Sequence, residues 1–200
     1  MLSVRLTVFS VMMLLLVCCS TLAQRPGPEF WRRVSCEPLE PRTKLEAFEE
    51  KYATVLVKGF TRITTVEIRG IRIDALELRD PRNSTRARGV VIALREAETA
   101  GERSGDNRVY IDYEEIDSVI SGLDAVAGVN ETLTKLASFE ARYRTLGDLE
   151  IAVFRQTQRG MAASLSTGVC NRTITYLTLD ELAKVKAMIL EAKEKLDQSR

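Results

Sequence analysis

The chain reads as an α+β protein built from two tandem antiparallel sheet–helix units (ββββα twice), packed as one pseudo-symmetric domain. Three observations predict this. Long stretches alternate apolar and charged residues with period two, the mark of antiparallel strands with one wet face. Two amphipathic helices open on similar capped sequences, Ile111–Ile116 and Leu177–Leu182, at an offset of 66 residues. Finally, Phe48-Glu49-Glu50-Lys51-Tyr52 reappears as Phe139-Glu140-Ala141-Arg142-Tyr143, an offset of 91. A repeated unit that cannot bury its apolar face alone stacks on its twin. The expected units span about 48–127 and 139–196, within a single domain of residues 43–200.

Residues 1–23 read as a secretory signal: Arg5 gives a positive start, Leu6–Val17 is apolar apart from Thr7 and Ser10, and Thr21-Leu22-Ala23 offers small residues for cleavage. The apolar run is shorter than the ~20 residues a spanning helix needs, so no membrane span is expected after signal removal. The expected location is secreted or periplasmic. Residues 24–42 hold four of the five prolines and the only tryptophan, Trp31, and read as an extended leader with Phe30 or Trp31 as its anchor.

Thr43-Lys44-Leu45-Glu46 has the form of a capping box and predicts a short helix to about Glu50. Val55 and Val57, Val66 and Ile68, Ile71 and Ile73, then Leu76 and Leu78 alternate with polar neighbours and predict strands, with Gly70 at a turn or bulge. Asp80–Ser84 is a turn by composition, and Val90–Leu94 is a central strand covered on both faces. Glu96–Asn107 is a polar loop. The first closing helix takes Asp112 as N-cap and Ile116, Val119, Ile120, Leu123 and Val126 as its stripe. Leu149–Val153, Met161–Leu165 and Thr173–Leu177 are further strands. Thr178 and Glu181 then cap a last helix whose stripe is Leu182, Val185, Ile189, Ala192 and Leu196.

Composition excludes more than it assigns. Histidine is absent, which removes the commonest general base and zinc ligand. Without residues 1–23 the chain carries 28 basic and 28 acidic residues, so no whole-molecule attraction to nucleic acid or acidic membranes is expected. Cys18 and Cys19 lie in the signal, leaving Cys36 and Cys170 as an expected disulfide. It would be worth ~4–5 kcal/mol in the chain-entropy account.

Asp112, Glu114, Glu115 and Asp117 cluster at a helix start, where capping and the helix dipole account for them. Arg79, Arg82, Arg86 and Arg88 surround one strand-to-strand loop and, with Tyr52, Phe60 and Tyr143, are the candidate surface for an extended anionic polymer, although Asp80 and the acids of the following loop dilute the field and favour a solvated loop. Asn83, Asn130 and Asn171 head Asn-x-Ser/Thr sequons and are candidate glycosylation sites. No Gly-x-Ser-x-Gly, Walker or dinucleotide-binding motif is present.

A four-stranded antiparallel sheet followed by a helix, present twice, resembles the single-strand nucleic-acid-binding folds of the PUR-alpha and Whirly type. The resemblance is of architecture, carries no residue motif, and implies a nucleic-acid or polyanion binder as one alternative. The leading expectation is an exported, non-enzymatic binding or structural module without a cofactor, monomeric or weakly dimeric, with an unknown protein or polymer partner. A carboxylate-dependent hydrolase is the other alternative. Near-zero net charge makes nucleic acid the less expected partner.

Overall fold

A computed structural model describes residues 40–95, 106–130, 132–156, 160–168 and 172–199, all within one compact unit spanning Cys36–Arg200. A short helix α1 (Lys44–Glu49) precedes the strands β1 (Val57–Ile68), β2 (Ile71–Asp80), β3 (Thr85–Arg95) and β4 (Asp106–Asp112). A single 3-10 turn (Tyr113–Glu115) leads into α2 (Ile116–Ala127). The pattern returns as β5 (Glu140–Arg144), β6 (Glu150–Gln156), β7 (Gly160–Thr167) and β8 (Thr173–Leu177), closed by α3 (Leu179–Gln198). Each set of four strands forms its own antiparallel sheet in sequential order, so the ββββα unit is present twice.

Local chemistry explains the turns. Arg69 and Gly70 both adopt positive φ (41° and 73°), the arrangement a two-residue hairpin requires between β1 and β2. Asp80 ties the next hairpin by accepting from the Arg82 backbone N–H at 2.9 Å and from the Thr54 hydroxyl at 3.0 Å. Between β5 and β6, the Leu149 N–H donates to the Thr145 hydroxyl at 3.0 Å. Both expected capping boxes form, Thr43 with Glu46 and Thr178 with Glu181.

The inner faces of the two sheets and the stripes of both long helices share one core. Ile73, Ile92 and Ile111 of the first sheet meet Ile151 and Leu165 of the second, together with Leu123 of α2 and Ile189 of α3. Each fully buried side chain of this kind contributes about 1.5–3 kcal/mol. The packing is largely crosswise: α3 lies mainly on β1, β2 and β3 of the first unit and reaches β7 and β8 less extensively, whereas α2 lies on β5 and β6 of the second. Ion pairs stitch the helices together, Lys186 to Asp124 and Lys193 to Asp117, each at 2.5 Å. Among the described residues no helix is long and apolar enough to cross a membrane.

Two sequence expectations meet a different structure. The opening motif is not an equivalent pair, because Phe48 ends on helix α1 while Glu140–Tyr143 lies in strand β5. Strand pairing instead aligns β1 with β5, and α1 stands outside the repeat. Asp112 does not cap its own helix either. Its carboxylate accepts the Lys44 and Leu45 backbone N–H groups at 2.8 and 3.1 Å, capping α1 from 67 residues away in sequence. That contact pins α1 to the outer face of the first sheet, where Leu45 and Phe48 cover Leu76, Leu78, Ala87 and Val91.

Candidate functional site

Helix α1 covers only part of that outer face. Along each strand alternate residues point outward, and the register places them in rows. One row runs Arg62, Asp74, Val91 and Tyr110 across β1 to β4. A second runs Arg72, Ala93 and Arg108. Lys58 and Phe60 extend the face along β1 and, with Leu76 and the residues of both rows other than Ala93, line an open basin of about 250 Å³.

The basin is electropositive. Four cations, Lys58, Arg62, Arg72 and Arg108, face two carboxylates, Asp74 in its floor and Glu49 at the edge of α1. Asp74 pairs with Arg62 at 3.3 Å and with Arg72 at 3.2 Å. Glu49 accepts from both Lys58 and the Tyr110 hydroxyl. Burial pushes the Glu49 carboxyl up, but the Lys58 and Tyr110 hydrogen bonds and the Lys58 and Arg108 charges outweigh it and hold it below the usual range. Burial, then Glu49, push the Tyr110 phenol up, so it stays protonated. Phe60 is 62% exposed and offers a ring face beside these charges.

The arginines singled out from sequence do not form a single patch. Arg79, Arg86 and Arg88 point to the inner face beyond the end of α3. Arg88 stacks on the Tyr113 ring at 4.5 Å and donates to the Leu196 carbonyl at 3.0 Å, which fits the negative end of the helix dipole. Arg79 pairs with Glu77 and lines a separate cavity of about 320 Å³ with Lys195, Leu196 and Ser199. Arg82 turns instead to the Ala53 carbonyl at 3.4 Å.

Of the expected aromatics, only Phe60 lines the basin. Tyr52 is exposed elsewhere, and Tyr143 packs under α2 at Gly122. Sequence reading missed Lys58, Arg62, Arg72, Arg108 and Tyr110. Their signal was present as the wet positions of alternating strands, but only the register aligns them.

Asn83 and Asn130 sit in exposed turns, and each side-chain oxygen accepts from the backbone and hydroxyl of the threonine two residues on. Cys36, Cys170 and Asn171 lie outside the described residues. Among the described residues no group of three or more His, Cys, Asp or Glu is placed to hold a metal ion.

The Glu115 carboxyl is pushed upward, by burial first and then by the Asp112 charge. Its Oε1 accepts the Leu146 N–H at 2.8 Å, and neighbouring Asp112 is committed to capping α1.

No protein family, curated protein or solved structure matches this chain. The likeness to PUR-alpha and Whirly folds therefore rests on the order of elements alone, and fold likeness does not carry function.

Proposed function

We propose that this chain is an exported, non-enzymatic binding module that holds an extended anionic polymer on the open half of its first sheet. The observation that carries the reading is the basin itself: four cations against two carboxylates, on a rigid sheet, with the exposed Phe60 ring beside them. Such a surface binds backbone charge electrostatically and stacks rings without base-specific contacts. The two titratable groups at its edge resist proton exchange near neutral pH, since Glu49 is held low and Tyr110 high. That favours holding a ligand over transforming one.

Fluorescence anisotropy tests the reading, with a labelled oligothymidylate and a labelled heparin fragment run in parallel over a salt series. Binding of either should weaken with salt. Arg62→Ala combined with Arg108→Ala should weaken it at least about tenfold and reduce the salt slope by about one for each lost contact. The two probes distinguish a nucleic-acid from a polysaccharide ligand. Absence of binding to both at low salt, or affinity indifferent to the double substitution, would overturn the proposal.

A further inference from the structure

Strand register shows that the two outer sheet faces repeat one another where sequence comparison does not. Arg62 pairs with Asp74 as Arg142 pairs with Ala152, so the two arginines hold equivalent places on β1 and β5. Tyr110 immediately precedes the residue paired with Val90, and Tyr176 immediately precedes the residue paired with Ala163, so the tyrosines are equivalent on β4 and β8. Each outer face thus presents an arginine on its first strand and a tyrosine on its last.

The second face is open. Its helix, α2, lies on the opposite side, and Tyr176 and Ile174 are 60% and 45% exposed. Ala152 and Ser164, both small, pair across its floor. Three cations flank that floor. Arg144 and Arg172 both bond Glu150, and Arg142 pairs with Glu140 at 2.9 Å, which leaves more positive than negative charge. Phe154 and Tyr176 meet edge to face, with ring centroids 6.3 Å apart, at the other end. Cations beside the exposed Tyr176 ring repeat the chemistry of the first face.

We infer that the outer face of the second sheet is a second seat for the same class of anionic polymer, which makes the molecule two-faced. The inference rests on the first face being such a seat. Because the two inner faces share one core, the seats point away from each other and engage two segments at once. Linked sites of this kind raise affinity for a long polymer by about 10²–10⁴ over either site alone.

Titration calorimetry with oligothymidylate and heparin fragments too short to reach both faces decides it. The expected stoichiometry is two per chain for the fragment that binds. Arg142→Ala with Tyr176→Ala should reduce it to one, as should Arg62→Ala with Arg108→Ala, and all four together should abolish binding. Arg142 and Tyr176 are exposed, so these substitutions are tolerated, and circular dichroism checks the fold. Long polymer should raise light scattering with the native chain and with neither double variant. A stoichiometry of one, lost only with Arg62 and Arg108, overturns the second seat and leaves the first. A stoichiometry of two indifferent to Arg142 and Tyr176 also overturns it. No binding at all overturns both.

Discussion

Asp112 is 6% exposed and accepts two N–H groups at the start of α1, a helix too short to persist without tertiary contacts. Asp112→Ala should therefore cost about 1–2 kcal/mol, read as a lower urea midpoint, and should loosen the cover over Leu76 and Leu78. Its neighbour Glu115 acts in the opposite sense. Burial raises its folded pKa, so folding favours the protonated acid, and its stabilising contribution fades as pH rises from the unfolded value through the folded one. Glu115→Gln keeps an acceptor for the Leu146 N–H while removing the charge. It should stabilise the protein by up to about 1 kcal/mol at pH 7 and have little effect at pH 4, as measured by urea denaturation at both. A loss of stability at pH 7 would contradict this account. Glu49 and Glu150 lean the other way. Burial raises each carboxyl, but hydrogen bonds from Lys58 and Tyr110, and from Arg144 and Arg172, more than offset it, so their contributions are lost as pH falls through their depressed values.

At the scale of elements, α2 approaches β5 closely because Gly122 has no side chain. A Cβ there would stand 2.5 Å from the Tyr143 ring, which is tethered by its hydroxyl to Ser118 at 3.0 Å. Gly122→Ala gains about 1 kcal/mol in helix propensity but overpacks this contact by about 1–3 kcal/mol, so the net effect should be destabilising. In a Tyr143→Ala background the same change should stabilise, and a double-mutant cycle measures the reversal. This contact also shows what the sequence carried. Both capping boxes, the alternation of β2 and the two helix stripes were legible because each depends on residues within a few positions of one another. The aromatic motif at Phe48 and Phe139 misled because likeness in type ignores local conformation: one copy ends a helix, the other is a strand. The basin was illegible because Arg62, Arg72 and Arg108 meet only through strand pairing. Asp112 satisfied the N-cap pattern in sequence, yet its carboxylate found donors on another element.

At the scale of the molecule, a stripe states that a helix needs an apolar partner but does not name which sheet supplies it. Here α2 crosses to β5 and β6, while α3 lies mainly on β1, β2 and β3 and also touches β7 and β8, so sheet one depends on α3 and sheet two on both helices. A covalent tie across the same molecule is expected because Cys36 and Cys170 are the two cysteines beyond the expected signal, and chain reach permits it. Arg42 lines one cavity with Gly168 and Arg172, which bracket Cys170, and Cys36 lies six residues before Arg42, within about 20 Å of extended chain. Mass spectrometry of the non-reduced protein should find Cys36 joined to Cys170 and no alkylatable thiol at either, and reduction should lower the melting temperature. Crosswise packing makes a further demand. A fragment of residues 40–130 carries the first sheet without α3, leaving the inner face around Ile63, Ile73 and Ala75 uncovered, and leaves α2 without its sheet. A fragment of residues 132–199 has the converse defect. Neither should show a cooperative unfolding transition, whereas mixing them should restore native circular dichroism, since the ion pairs between α2 and α3 and the shared core re-form only when both are present. Cooperative folding of either fragment alone would mean that a unit covers its own apolar face, and the exchange of helices would then not be what holds the two sheets together.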